Sequence, residues 1–334
     1  MNGKIAEINE PAKVIDWLGK PYYSLNAYFK HVYGEKCYKI AVDAGLSCPN
    51  RDGKLDNRGC IFCSAGGSGD FAAMINGSQG RLSIKEQIEL YLKRFNKKAG
   101  SKFVIYFQAY TNTYGDVFYL EKIFKEALEY SDVVGISIAT RPDCLGEEVL
   151  KLLKALKEMY SEKFIWVELG LQTMHEKTAQ YIRRHYRLDV YEKAVSSLSS
   201  IGIPYITHII IGLPGESKED MLATVRYVCN RENKPQGIKL QLLHILKNTD
   251  LEQEYQKGNV KLLTKDKYLD IVISMLEIID SDIVIHRVTG DGPKKILVEP
   301  KWSANKKDVL NSLHKAMKER CAMQGTKCKG ENYG

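Results

Sequence analysis

The sequence predicts an α/β protein, built either as an open or partial (β/α) barrel or as a doubly wound sheet. Three observations carry that expectation. Short β-rich runs alternate with longer stretches of helical period, and repeated β-then-α units require parallel strands joined by right-handed crossovers. The strand candidates are nearly continuous apolar runs, as strands buried on both faces must be. Polar residues gather at their C-terminal ends, at Asp43, Gln108, Thr140, Glu168 with Gln172, and His244, which is where barrel-type enzymes place their chemistry.

The aromatic opening "PYYSLNAYFKHVYG" (21–34) reads as a helix that packs on the barrel in preference to lidding its site. The first strand is "YKIAVD" (38–43). "SIKEQIELYLKRFNKK" (83–98) begins with a serine and carries a glutamate three residues on, the capping-box pattern of a helix start. Strands "KFVIYFQ" (102–108), "VVGISIA" (133–139), "FIWVELG" (164–170), "PYITHIIIG" (204–212) and "GIKLQLL" (237–243) follow, with "DIVIHRV" (282–288) as a weaker seventh. Between them lie the helical patterns "YLEKIFKEALEY", "GEEVLKLLKALKEMY", "YEKAVSSLSSIG", "KEDMLATVRYVCN" and "KYLDIVISMLEII". The chain divides into an N-terminal extension (1–35), a barrel (36–295) and a basic C-terminal extension (296–334) that starts as a helix.

At 334 residues, 44% hydrophobic and 27% charged, the chain has the composition of a soluble globular protein. Apolar runs such as "ITHIIIGL" are too short to span a bilayer. "MNGKIAEINEPAKV" has no basic start leading into an apolar core, so a cytoplasmic location with reduced thiols is expected. The net charge of +8 suits a polyanionic partner such as RNA, and equally a basic enzyme; the charge concentrates at "RRHYR" and "KAMKERCAMQGTKCKG".

The eight cysteines therefore read as metal ligands or free thiols. Three of them, Cys48, Cys60 and Cys63, follow the first strand in a loop rich in Gly, Pro, Asn and Asp. A zinc ribbon needs a second C-x-x-C or a histidine pair, and the sequence has none. Cys37 precedes the strand, at the wrong end of a barrel. Cys144, Cys229, Cys321 and Cys328 have no partner at ligand spacing. Three thiolates hold three irons of a [4Fe–4S] cube and leave the fourth open to a small amino-acid ligand. S-adenosylmethionine (SAM) carries the amino and carboxylate groups that such an iron binds, and one electron from the cluster then yields a 5′-deoxyadenosyl radical.

"CPNRDGKLDNRGCIFCSAGGSGDF" resembles the radical SAM superfamily in its Elp3-like branch, where the spacing within the cluster loop is wide. "YFQAYTNTY", "SIATRPDCL", "WVELGLQT", "HIIIGLPGE" and "HRVTGDGP" look like the YhcC-like group of that branch, and the match runs from about residue 20 to 315. The resemblance implies a partial (β/α)6 TIM-like barrel with N- and C-terminal helical extensions. It implies Cys48, Cys60 and Cys63 as ligands of a [4Fe–4S] cluster. It further implies SAM contacts from Gln108, Thr111, Asn112, Thr140, Arg141, Gln172 and Arg184, with Arg183 competing for the carboxylate role of Arg184. His208 stands where relatives carry an acidic ribose ligand, and Glu168 either binds SAM or caps a polar network. Tyr110, His244, His286, Arg287 and Asp291 are left for the substrate.

Related groups imply two reactions with one logic. A queuine lyase converts free queuine to 7-aminomethyl-7-deazaguanine in queuosine salvage. A tRNA-modifying enzyme trims wobble carboxymethylaminomethyl-uridine to aminomethyl-uridine. In both, a secondary amine joins a nucleobase methylene to a removable group, and hydrogen abstraction from that group permits C–N cleavage. With no RNA-binding module appended, free queuine is the first expectation and tRNA the second. Either reaction needs an electron donor such as flavodoxin or ferredoxin.

Overall fold

The computed structural model describes residues 17–67, 82–95, 101–290 and 292–328. Seven parallel strands form one sheet in chain order: β1 (Cys37–Val42), β2 (Lys102–Phe107), β3 (Val133–Thr140), β4 (Phe164–Gln172), β5 (Tyr205–Ile211), β6 (Gly237–Leu242) and β8 (Val284–Arg287). All seven were legible as apolar runs. A two-stranded antiparallel ribbon of β7 (Ile245–Leu246) and β9 (Leu297–Glu299) was not. Strands of two and three residues are too short to show a period.

The sheet is curled into a half-barrel. Lys239 Nζ on β6 lies 3.1 Å from the Tyr106 hydroxyl on β2. Those strands are four places apart in the sheet order, a separation of roughly 19 Å in a flat sheet. That exceeds what the two side chains reach together, so the edges must turn toward each other. β1 and β8 pair with one neighbour each and leave the barrel open between them.

Alternation along the strands divides the core. Ile105, Phe107, Ile136, Ile138, Val167 and Leu169 pack outward beneath the helices. Those helices are α2 (Ile84–Arg94), α3 (Val117–Leu128), α4 (Glu147–Met159), α6 (Leu188–Ser200), α7 (Lys218–Cys229) and α9 (Lys265–Ile278). The predicted capping box forms at α2: Ser83 accepts from the Glu86 N–H, and Glu86 accepts from the Ser83 N–H.

Inward, the lower half of the barrel is closed by α1 (Leu25–Tyr33), the helix of the aromatic opening. Phe29 stacks on Trp166 at 5.9 Å and 13°, Tyr28 lies 5.6 Å from the same indole, and Val104, Val134 and Ile206 complete the cluster. α1 is thus a plug at the N-terminal ends of the strands and leaves the opposite mouth open. Trp166 is 1% exposed. Trp166→Ala is expected to cost about 3–5 kcal/mol, the range for a large aromatic deleted from a packed core, measured by urea unfolding. A loss below about 1 kcal/mol would mean that α1 does not plug the barrel.

At the other end of the chain, α10 (Lys306–Glu319) packs on α9. Gln324 then ties the C-terminal segment to the plug, accepting from the Tyr23 N–H at 2.8 Å and donating to the Asp280 and Ile283 carbonyls. No helix among the described residues is long and apolar enough to cross a membrane.

Candidate active site

The loop after β1 brings the three thiols to the mouth of the barrel. Cys48, Cys60 and Cys63 line one cavity that descends to Tyr106, Glu168, His208 and Arg287. The loop is fixed by its own chain. The C-x-x-C segment closes on a turn, with the Cys63 N–H donating to the Cys60 carbonyl at 2.9 Å. Arg51 Nη2 donates to the Cys63 and Ser64 carbonyls at 2.7 Å each. Asn50 Nδ2 donates to the Arg183 carbonyl at 2.8 Å and meets Cys60 Sγ at 3.5 Å. Gly67 takes φ +58°, and a Cβ there would sit 2.3 Å from the Tyr110 ring, so a glycine is required.

These residues fit an iron–sulfur cluster. Among the described residues no three His, Cys, Asp or Glu groups converge on a point for a single ion. A cube asks for something else, one thiolate on each of three irons, and three soft thiols on one wall supply that. Burial and the neighbouring Cys63 push the Cys60 thiol up to about 12, while Arg141 lowers it. Crowded thiolates of this kind need a cation among them.

The wall above the thiols comes from the ends of β2, β3 and β4. Gln108, Thr111, Thr140, Arg141, Gln172 and Arg184 all line the cavity. Arg141 forks onto Asp143 at 2.9 and 2.7 Å and lies over the Tyr186 ring. Arg184 is 1% exposed. Its Nε donates to the Tyr186 carbonyl and its Nη1 to those of Leu171 and Thr173, while Nη2 stands 3.7 Å from Glu176. Gln172 adopts φ +64° beside Tyr186. Arg183, the competitor of Arg184, turns to Asp250 at 2.6 Å and is absent from the cavity lining.

Two expectations change. Asn112 does not reach the cavity: its amide N–H groups are spent on the carbonyls of Phe107, Ala109 and Ala139, so it latches the loop after β2 onto β3. His286 lies below the site against Trp166 and bonds Gln236 Oε1 at 2.9 Å. A side chain at this height on β8 points into the plugged half. Tyr110, in the loop after β2, lines the cavity against the cluster loop, its hydroxyl donating to the Ala65 carbonyl at 2.5 Å. His244 and Arg287 do line the cavity, the former packed beside Gly290 and Gly292. Asp291 lies outside the described residues.

The floor holds a buried charge network whose lysines had not been anticipated. Glu168 accepts from Lys39 at 3.2 Å, Ser137 Oγ at 2.5 Å, His208 Nε2 at 2.8 Å, and Lys239 Nζ. Of the two readings of Glu168, the network is the one whose bonds are present. Although burial opposes ionisation, Lys239 and Lys39 hold its carboxyl well below the usual range. Lys239 is itself held well below the usual lysine range by burial, and by repulsion from Lys39 and Arg287. The detectable signal was a lysine inside an otherwise apolar strand, at "YKIAV" and "GIKLQL". Gln241, on the same face as Lys239, donates to His208 Nδ1 at 3.1 Å, which leaves the ring's N–H at Nε2, toward Glu168.

Burial, then repulsion from Lys239, lowers the His208 imidazole from 6.5 to about 4, against the opposing pull of Glu168. In this window the unfolded chain binds a proton that the folded chain does not. The contribution to stability is therefore present above pH 6.5 and is lost as pH falls toward 4. We expect wild type to lose on the order of 3 kcal/mol through His208 across that interval, and His208→Gln to flatten the unfolding free energy there. An unchanged profile in the variant would remove His208 as its source.

A parallel half-barrel with three thiols at its mouth and a polar shaft beneath defines a radical-generating iron–sulfur enzyme. The radical SAM superfamily model matches residues 57–228, and a radical SAM C-terminal domain model matches 235–319. The chain belongs to the radical SAM superfamily, in its Elp3-like branch and YhcC group. It is an enzyme that uses a [4Fe–4S] cluster and cleaves SAM. It is 42% identical to the uncharacterized protein YtqA of Bacillus subtilis over 92% of each chain. It is 32% identical to protein YhcC of Escherichia coli, over 88% of this chain and 91% of that one. Elp3 of Methanocaldococcus infernus shares the fold, with a TM-score of 0.63 and 16% identity over 86% of this chain and 64% of that one.

Proposed function

We propose that the protein is a radical SAM enzyme that cleaves the C–N bond of carboxymethylaminomethyl-uridine in tRNA and leaves a primary aminomethyl group. The CH₂ would lose a hydrogen atom to the radical and one electron to an acceptor such as the oxidised cluster, and water would split the resulting C=N bond, releasing the two carbons as glyoxylate. The observation that carries this reading is the floor of the cavity. Lys39 and Lys239 share the single carboxylate of Glu168, and Arg287 faces the same cavity. Buried cations are stable when countered, and in a water-poor shaft their field acts strongly on an incoming anion. A carboxymethyl group brings that anion to them. The diol of queuine, the first expectation from sequence, would instead seek acceptors, and the buried carboxylate at hand already accepts from four donors.

The names of distant relatives support a tRNA uridine. A region covering 59% of this chain and 34% of the relative is 24% identical to the tRNA uridine(34) acetyltransferase of Methanocaldococcus jannaschii.

When bound to the cluster, SAM supplies on one-electron cleavage a radical able to take hydrogen from carbon. Cys48, Cys60 and Cys63 hold the cluster. Gln108, Thr111, Thr140, Gln172 and Arg184 orient the cofactor along the upper wall, with Arg141 stiffened by Asp143. Arg287, with Lys239 and Lys39 beneath, would receive the carboxylate and fix the position of the neighbouring CH₂. His208 stays neutral and keeps Glu168 in place. α1 excludes water from below.

The test is anaerobic. Reconstituted enzyme with SAM and a one-electron reductant is offered modified tRNA and free queuine side by side, and the aminomethyl products are followed by mass spectrometry. Turnover of the tRNA is expected; turnover of queuine alone would return the assignment to salvage of the free base.

A further inference from the structure

Three lysines stand at the end of the β7–β9 ribbon, which borders the cavity, and three more follow them along the chain. The β7–β9 ribbon forms part of the cavity wall, through Leu246 and through Gly290 and Pro293 just before β9. Leu246 pairs with Leu297, and the Lys247 N–H donates to the Ile296 carbonyl at 2.8 Å. This sets Lys247 beside Lys294 and Lys295, and all three are exposed. Exposed Lys301, Lys306 and Lys307 continue the series into the first turn of α10. Residues 292–307 thus carry five lysines against one acid, Glu299, and Glu299 accepts from the Lys301 N–H at 2.9 Å.

Among the described residues, flanking acids have partners of their own. Asp250 pairs with Arg183, Glu252 accepts from the Asn248 N–H, Glu254 holds Lys257 and Asn259, and Asp308 pairs with Lys265. Like charges this close repel, and folding alone gains nothing from gathering them. A surface of this kind at the mouth of a catalytic shaft favours a polyanion that delivers one unit into the shaft while its backbone lies across the lysines.

We infer that the lysine ridge of Lys247, Lys294 and Lys295, continued by Lys301 and the start of α10, docks the phosphate backbone of the RNA substrate. It would do the work of a dedicated RNA-binding module. The inference rests on the RNA reading above and adds the surface that makes it possible. Phosphate contacts of this kind position the chain without reading its sequence, so selection of the base remains with the cavity.

The experiment measures binding of an unmodified RNA hairpin to the reconstituted enzyme over a series of salt concentrations. It compares wild type, the triple variant Lys247→Ala/Lys294→Ala/Lys295→Ala, and a control carrying Lys151→Ala/Lys154→Ala on the exposed face of α4. Each lost phosphate contact lowers the salt slope by about 0.9. The triple variant is expected to lose between two and three units of slope and roughly a hundredfold in affinity at physiological salt, with the control unchanged. SAM cleavage without RNA should be equal in all three. A triple variant that binds with the wild-type slope would overturn the ridge and leave the RNA reading standing. A wild-type enzyme that does not bind RNA while turning over a free base would overturn both.

Discussion

Cys60→Ala is expected to abolish 5′-deoxyadenosine formation, by a factor on the order of 10³ or more, and to leave less than a full complement of cluster iron. The reason is stoichiometric. Three thiols line the cavity wall, and among the described residues no other cysteine lines it. Cys37, the nearest in sequence, is buried with Phe29 and Trp166 in the plugged half, and the Cys144 thiol faces Asp143 at 3.9 Å. Cys321 is exposed and far along the chain. Cys321→Ala should therefore match wild type in iron content, in the thiolate-to-iron absorption band and in SAM cleavage. A Cys60→Ala protein with full iron and full activity would show that the loop is not the cluster site.

The second large effect concerns stability. Glu168→Ala leaves Lys239 and Lys39 without their carboxylate, and breaking one side of a buried ion pair costs about 3–5 kcal/mol. Unfolding in urea at neutral pH reads that loss directly. Because the Glu168 carboxyl is held below its ordinary range, its contribution is fully present at neutral pH. It disappears only as pH falls through and below the normal carboxylate range. If Glu168→Ala does not fold, Glu168→Gln/Lys239→Met supplies the second reading, since removing both charges with similar volume restores most of the stability. Equal destabilisation of the double variant and of Glu168→Gln would mean that Lys239 is not the ion-pair partner that matters.

Much of this arrangement was legible because strands buried on two faces leave apolar runs and a cluster loop leaves spaced cysteines. "FIWVELGLQT" announced β4, and its polar positions mark the inward face with a period of two. What the chain does with a polar atom once inside was not legible. Asn112 and Thr111 are adjacent and similar in sequence, yet only Thr111 lines the cavity, because the tight loop after β2 turns the Asn112 amide back onto three carbonyls.

His286 and Arg287 are likewise neighbours on a short edge strand, and both face inward, His286 against Trp166 in the plugged half and Arg287 in the cavity, because His286 is the extra residue where the pairing with β6 slips. The irregular register where β6 meets β8, between Ile238 and Lys239, hid which was which. Lys39 and Lys239 were passed over for a physical reason. A single lysine in an apolar strand is ordinarily an edge or solvent position, and its value as a buried counter-charge exists only once a curled sheet brings four strands to one carboxylate.

In the proposed reaction, the radical takes hydrogen from the carboxymethyl carbon of a tRNA base. The measurement that reaches it most directly uses tRNA deuterated at that carbon, with mass spectrometry of the 5′-deoxyadenosine formed in a single anaerobic turnover. Deuterium is expected in 5′-deoxyadenosine together with the aminomethyl base. Unlabelled 5′-deoxyadenosine formed alongside the aminomethyl product, or labelled tRNA recovered unchanged while queuine is consumed, would contradict it.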